Sequence, residues 1–401
     1  MNSQESIVPG GMEAEVGHHI EKIRSKMLGS GTQAVIVASN VNLYYCTGRF
    51  FRGYVWIPLE GEVLYFVMRP RVYRESGNMV YVRKPEQIPE ILASRGVEAP
   101  RSVGLELDVL TYADARRLMA LFPGGETVNA TPILRGARMV KTEYEIGRMR
   151  IDGERQARAY SKISELYRPG MTDVRLQIAI EECLRLEGCL GFARVAGNLM
   201  DINLGSVLAG DNADNPSPYE FAMGGAGVDA SLPGGANGTV IKPGETVMVD
   251  MNGAFNAYQT DMTRVWTLGG LPESAYRAHD CSRAILRELE RLAVPGVEVC
   301  SLYFRAVEMA EQAGLKEYFM GHRQQAGFIG HGVGIELNEQ PPVAPRVKTL
   351  LEEGMTLALE PKFVLPGIGA VGVENTYVVR SGGLEALTSF PEDIQVFNHR
   401  D

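Results

Sequence analysis

The sequence predicts two domains, an α/β unit followed by an α+β unit built as an internal pseudo-twofold repeat. Three observations carry that expectation. Short apolar runs alternate with helical stripes up to about residue 131. Thr142 and Glu145 then form a capping-box signature that opens a long helix. Beyond it, one order of elements occurs twice: a helix closed by Pro-Gly, a second helix, then a hairpin flanked by acidic residues. The boundary falls near residue 138, giving domains 1–138 and 139–401.

Within the first domain, Val16, Ile20, Ile23 and Met27 share a helical face that stops at Gly29, and Ala34 to Ala38 reads as a buried strand. Trp56-Ile57 and Val63 to Val67 flank Glu60-Gly61 as a hairpin, Val103 to Leu105 is a further strand, and Tyr112 to Leu121 has helical periodicity. In the second domain a stripe running Ile146, Met149, Ala157, Tyr160, Ile163, Tyr167 predicts one helix up to Pro169-Gly170, followed by a helix from Asp173 to Glu187. The second copy has Pro295-Gly296 and a helix from Cys300 to Ala313. In each copy the first carboxylate comes six residues after a glycine, Gly244 to Asp250 and Gly354 to Glu360.

Five side chains in these hairpins have the makings of a metal centre. Asp250 closes the run Val247 to Val249, Asp261 opens the run Met262 to Trp266, and the midpoint of the pair falls between Phe255 and Asn256 in a turn-rich segment. A hairpin folded there sets the two aspartates opposite each other, with Cβ atoms about 5 Å apart. Glu360 and Glu374 repeat the pattern about Gly367. Four carboxylates on apolar strands repel one another and are costly to bury unless cations neutralise them. Two divalent ions balance four negative charges. Oxygen-rich ligation with one imidazole, His331 in Gly330-His331-Gly332-Val333-Gly334, suits Mn, Co, Fe or Zn, and paired metals roughly 3.5 to 4 Å apart hold a bridging water as hydroxide. Taken singly, an aspartate at a strand end is an ordinary turn residue and a histidine between glycines an ordinary loop residue. The coincidence of two symmetric acidic hairpins with an intervening histidine is what points to metal.

Composition sets the rest. The 401 residues are 45% hydrophobic, enough for a large core. A net charge of -9 with scattered Lys and Arg argues against a nucleic-acid partner, and no apolar run approaches the ~20 residues of a membrane span. A start without a basic, apolar leader leads to the expectation of a cytoplasmic protein. Five cysteines without close pairing read as reduced core thiols.

Val249-Asp250-Met251-Asn252-Gly253, Thr260-Asp261-Met262-Thr263-Arg264, Gly330 to Gly334, Leu359-Glu360-Pro361 and Val373-Glu374-Asn375-Thr376 resemble the five metal motifs of the pita-bread metallopeptidases, which include methionine aminopeptidase, prolidase, aminopeptidase P and creatinase. Asn42 to Gly48 and Arg138 to Ile146 resemble the prolidase and creatinase branch. The resemblance implies a creatinase-like α/β first domain and a pita-bread second domain. It implies that Asp250 is a bidentate ligand of one ion, His331 a ligand of the other, and Asp261 and Glu374 bridging carboxylates. Glu360 becomes the ligand that also handles the proton of the attacking water. It further implies a homodimer. All five ligand types are kept, unlike creatinase, whose site has lost its metal.

Some positions depart from the family pattern. Asn338 stands seven residues after His331, where peptidases of this kind carry a second histidine. The loop Leu232 to Gly238 lacks another, and Gly372 replaces an arginine that some aminopeptidases place before the last glutamate. Asn338 is expected at the substrate as a neutral donor. Arg52, in the region where creatinase supplies an arginine across the dimer to a substrate carboxylate, is expected to bind substrate, as is Tyr258; His322 is a further pocket candidate. The function expected is a metal-dependent hydrolase of the Xaa-Pro dipeptidase or aminopeptidase kind, acting on a small peptide. The missing histidines also admit hydrolysis or elimination on a small non-peptide amine or amidine, and a non-catalytic binding protein is the third class.

Overall fold

The computed structural model describes residues 5–197 and 200–398; His399, expected in a terminal tail, lies outside them. The chain divides into two compact units, Met1–Arg138 and Met139–Asp401.

In the first unit the elements run α1 (Glu13–Ser30), β1 (Ala34–Val37), α2 (Asn40–Thr47), β2 (Arg52–Pro58), β3 (Leu64–Arg69), β4 (Met79–Tyr81), α3 (Ile88–Ser94), β5 (Ser102–Leu105), α4 (Tyr112–Met119), β6 (Glu126–Asn129) and α5 (Thr131–Met139). The sheet order is β4-β3-β2-β1-β5-β6, with β1 antiparallel to β2 and parallel to β5. The stripe Val16, Ile20, Ile23, Met27 is buried as its spacing predicts, and Ala34 to Val37 is buried on both faces. Helix α2 has little periodicity to announce it. Ser39 caps it by accepting from the Asn42 N–H, and the buried Glu106 carboxylate accepts from the Ala38 and Ser39 N–H groups.

The second unit runs α6 (Glu143–Tyr160), α7 (Asp173–Leu186), β7 (Gly205–Ala209), β8 (Thr246–Gly253), β9 (Thr260–Thr267), α8 (Glu273–Leu292), α9 (Val299–Gln312), β10 (Gly330–Gly332), β11 (Thr356–Leu359), β12 (Lys362–Leu365), β13 (Gly369–Gly372), β14 (Asn375–Arg380), β15 (Gly383–Ala386) and β16 (Gln395–Val396). The capping box at Thr142 and Glu145 forms in both directions. Helix α6 stops at Tyr160 rather than running to Tyr167, and a short 3-10 turn at Ile163–Glu165 carries the rest of the stripe. Tyr160 is spent on the sheet: its hydroxyl donates to the Met262 carbonyl at 2.5 Å and accepts from the Met251 N–H at 3.2 Å.

The repeat is visible in the sheets. Helices α6 and α7 lie over the antiparallel set β7-β8-β9, and α8 and α9 over β10-β11-β14. One core joins Tyr160, Leu176 and Ile180 to Val249, Met251 and Trp266; the other joins Ile285, Leu289 and Leu302 to Leu357, Phe363 and Tyr377. Each such large apolar side chain contributes roughly 1.5–3 kcal/mol by burial. Gly244 and Gly354, the two glycines six residues ahead of the carboxylates, both turn the chain with positive φ, 81° and 87°. Between the halves, Leu208 and Met248 pack with Val364 and Ala370.

Candidate metal centre

Strands β8 and β9 pair Asp250 with Thr263 and Asn252 with Asp261. The aspartates are therefore diagonal neighbours rather than opposite each other, a slip of two from the register the midpoint predicts. The cause lies outside the hairpin. Asp152 on α6 accepts from the Phe255 and Asn256 N–H groups at 2.9 and 3.3 Å, and the Tyr258 N–H donates to Asn256 Oδ1 at 2.9 Å, so the turn centres one residue later. A shift of two keeps both side chains on one face. In the second hairpin Leu359 faces Asn375 and Lys362 faces Gly372, which leaves Glu360 opposite Glu374 where the two ladders meet.

These strands bring all five expected ligands together. Asp261, His331 and Glu374 form one group whose ligand atoms lie within 4.8 Å of one another, and Asp250, Glu360 and Glu374 form a second. His331 Nε2 is 3.9 Å from Asp261 Oδ2 and 3.8 Å from Glu360 Oε1, while its Nδ1 is 3.0 Å from the Gly332 carbonyl. With the proton on Nδ1 donated to that carbonyl, the Nε2 lone pair faces the carboxylates, as a ligand requires.

The backbone around Glu374 is held tightly. Thr263 Oγ1 donates to Glu374 Oε2 at 2.7 Å, and the buried Arg264 guanidinium donates to the Thr263 and Glu374 carbonyls. Thr376 ties Asp261 from both sides, accepting from its N–H at 2.7 Å and donating to its carbonyl at 3.0 Å. The other carboxylate oxygen, Glu374 Oε1, is buried without a hydrogen-bond partner among the described residues. A buried acceptor left bare is costly, and a cation in the Asp261, His331, Glu374 group relieves that cost. An oxygen-rich donor set with one imidazole fits a divalent transition ion there.

Lys362 is the residue that sequence reasoning missed. Its Nζ lies 2.7 Å from Asp250 Oδ2, 2.7 Å from Glu360 Oε2 and 3.2 Å from Glu374 Oε2, and the side chain is 0% exposed. A signal existed: Glu360 and Lys362 are two apart in an extended stretch and so share a face, and a lysine ahead of Phe363-Val364-Leu365 is out of place unless paired. Burial works against the ammonium, yet the charges of Asp250, Glu360 and Glu374 outweigh it and hold its pKa well above the ordinary lysine value. Burial pushes the Asp261 and Glu374 carboxyls well above the usual range, and neighbouring carboxylates push them further.

The centre lies in a cavity of about 460 Å³ whose lining includes Asp250, Asp261, His331, Glu360 and Asn338. Asn338 is engaged by the backbone of Ala196: its Oδ1 accepts from the Ala196 N–H at 2.7 Å and its Nδ2 donates to the Ala196 carbonyl at 2.8 Å. The loop expected to carry a histidine presents Gly234 under an aromatic pair, so that a Cβ there would stand 3.0 Å from Phe221 and 3.2 Å from Tyr219. Tyr258 is placed elsewhere than at the pocket. It is 2% exposed, is not part of the lining, and donates to Glu145 Oε1 at 2.9 Å. His322 pairs with Asp214 at 3.0 Å, also away from the lining. Arg52 is an exposed residue of β2 in the first unit, where it lines a cleft with Phe51, Tyr54 and Asp114.

Comparison with known proteins agrees with this geometry. The family described as metallopeptidase family M24 matches residues 147–381, and the creatinase/prolidase N-terminal domain matches residues 19–140. The chain is 26% identical over 379 residues to a Xaa-Pro dipeptidase of Pyrococcus horikoshii, covering 94% of this chain and 98% of that one. It is 24% identical to the putative dipeptidase YkvY of Bacillus subtilis, over 94% of this chain and 99% of that one. Among solved structures, the Pyrococcus horikoshii OT3 prolidase superposes with a TM-score of 0.74 at 22% identity, over 93% and 98% of the two chains. A Xaa-Pro dipeptidase from Bacillus anthracis superposes with 0.77 at 21%, over 95% and 99%. With four carboxylates and one histidine converging beside a cavity, and with the family's model matching over half of its length, this chain belongs to metallopeptidase family M24.

Proposed function

We propose that the protein is a divalent-metal-dependent peptidase that hydrolyses the amide bond ahead of proline in small Xaa-Pro peptides. The observation that carries this reading is the convergence of Asp250, Asp261, His331, Glu360 and Glu374 around a bare, buried Glu374 Oε1 inside a substrate-sized cavity. Asp261, His331 and Glu374 are the residues that would hold an ion such as Mn, Co, Zn or Fe, with Asp250 and Glu360 completing the cluster. Such an ion supplies Lewis-acid polarisation and lowers the pKa of a bound water.

The remaining chemistry belongs to the chain. Glu360 takes the proton of the attacking water and returns it to the leaving amine, a role for which one oxygen is held by Lys362 and the other, Oε1, faces His331. Lys362 holds that carboxylate in its orientation. The lining contains Glu181, Asp201 and Glu220 but no lysine or arginine among the described residues, a surface that attracts the protonated N-terminus of a peptide. Apolar lining from Leu204, Phe221 and Leu232 suits the proline ring.

The reading is tested by assaying Mn- and Co-loaded protein on Xaa-Pro dipeptides and on longer Xaa-Pro peptides, beside Glu360→Gln. Turnover by the wild type and a loss of about 10²–10⁴-fold in kcat for the variant are expected. Silence on every Xaa-Pro peptide would favour a small non-peptide amine or amidine as substrate, the reading that Asn338 and the histidine-free 232–238 loop support. A homodimer is part of the proposal, and light scattering in solution checks it.

A further inference from the structure

The two groups of the acidic cluster are not equivalent. Lys362 Nζ contacts all three members of the group Asp250, Glu360, Glu374, at 2.7, 2.7 and 3.2 Å. In the group Asp261, His331, Glu374 its reach ends at the shared Glu374, and there it takes Oε2, leaving Oε1 bare. We propose that Lys362 is a built-in cation filling one of the two positions, so that the centre takes a single divalent ion, on Asp261, His331 and Glu374. The inference rests on the metal-dependent reading above and deepens it, because it replaces the pair of ions expected from the sequence.

Space and charge both support it. A divalent ion among Asp250, Glu360 and Glu374 needs their oxygens at about 2.0–2.2 Å from itself, in the volume the ammonium already occupies. Lys362 has nowhere to withdraw. Its side chain is fully buried, and its backbone is pinned by the Met320 N–H donating to its carbonyl at 2.8 Å. Opposite it stands Gly372, with φ +144°, where a Cβ would lie 2.9 Å from Lys362 Cα and 3.2 Å from its Cγ. The bare glycine is what leaves room for the lysine stem. Formally, four carboxylates with Lys362 and one divalent ion sum to -1, whereas Lys362 with two ions leaves +1 packed in a buried site, with like charges a few ångströms apart.

The test is metal stoichiometry. The protein is stripped with chelator, equilibrated with Mn²⁺ and counted per chain by elemental analysis and electron paramagnetic resonance, beside Lys362→Met, which keeps the apolar stem and removes the charge. One ion per chain with the spectrum of isolated Mn²⁺ is expected for the wild type, and close to two, with an exchange-coupled spectrum, for the variant. Two ions in the wild type would overturn the proposal, and so would a variant that still binds one. Should the variant fail to fold, anomalous scattering from manganese-soaked wild-type crystals decides. A single peak touching His331 Nε2 supports the inference, and a peak touching Asp250 and Glu360 refutes it. No ion in the wild type sinks both this inference and the metal-dependent reading, while one ion without turnover of any Xaa-Pro peptide sinks only the choice of substrate.

Discussion

Lys141 and Glu339 form an ion pair at 2.9 Å with side chains only 1% and 2% exposed, and they fix the turn that follows His331. Glu339 Oε1 accepts from the Ile335 and Glu336 N–H groups at 3.0 and 3.2 Å, and the Lys141 N–H donates to the Gly354 carbonyl at 2.8 Å. Replacing Lys141 by Met removes the ammonium from beside a buried carboxylate, a change that ordinarily costs 3–5 kcal/mol. The carboxylate has one escape, which sets a ceiling. Taking up a proton at pH 7, against an unfolded pKa of about 4.3, costs about 1.36 kcal/mol for each of ~2.7 pH units, or about 3.7 kcal/mol. The loss for Lys141→Met is therefore expected at about 3–4 kcal/mol at pH 7, shrinking to about 1 kcal/mol at pH 5. For a unit of this size that corresponds to a fall of roughly 6–16 °C in Tm at neutral pH. The double variant Lys141→Met/Glu339→Gln keeps an acceptor for both N–H donors and should recover all but about 1–1.5 kcal/mol. Urea unfolding read by tryptophan fluorescence is the assay; in a Trp56→Phe background Trp266 reports on the second unit alone. A loss below 1 kcal/mol at pH 7, a loss that does not shrink at pH 5, or a double variant no better than the single would refute the reasoning.

Four further outcomes are expected. Burial pushes the Asp152 carboxyl up to about 7, despite the N–H donors of Phe255 and Asn256. A carboxyl that keeps its proton in the folded state stabilises the fold fully below the unfolded value near 3.9 and loses that contribution as pH rises through about 7, at most about 4 kcal/mol over some three pH units. Asp152→Asn should flatten that slope, and parallel stability curves for the two proteins between pH 4 and 8 would count against it. Thr263→Val removes the hydroxyl that holds Glu374 Oε2 and is expected to weaken Mn²⁺ binding about 10- to 100-fold by calorimetry, with an unchanged constant as the contrary result. Arg52→Ala should raise KM for substrates bearing a free carboxylate, and an unaltered KM for every one of them would remove Arg52 from substrate binding. Removing the ion with chelator should lower the stability of the second unit by about 2.7 kcal/mol relative to protein with free Mn²⁺ at 100 times its Kd, and identical melting curves would deny that the ion binds the folded chain.

What the sequence made legible was local. The capping box at Thr142, the glycines ahead of Asp250 and Glu360, and the apolar runs beside the carboxylates are all set by residues within a few positions of one another. Where long-range contacts decide, the local sequence carries no signal of the outcome. The slip of Asp250 against Asp261 comes from Asp152, about a hundred residues earlier, gripping the hairpin turn. Tyr258 sits in that turn and looked available to a ligand, but the turn's rotation hands its hydroxyl to Glu145. Asn338 does line the cavity, yet nothing near it in sequence reveals that Ala196 would occupy its carboxamide.

The lysine was missed for a different reason, and the reason bears on how the centre works. Four clustered carboxylates require positive charge, but the requirement does not say whether that charge is covalently attached. Lys362 and an exchangeable ion meet it differently. A lysine on a pinned strand cannot be diluted or chelated away, so it holds Asp250, Glu360 and half of Glu374 in place whatever the supply of metal. It offers no open coordination position, however, and with no exposed atom it has no access to substrate. The other pole has the opposite character. There Asp261, His331 and the bare Glu374 Oε1 sit without a fixed cation, and Asp261 and His331 face the cavity. A fixed structural charge beside an exchangeable catalytic one is the division of labour expected when Lewis acidity is needed only where a carbonyl can reach it.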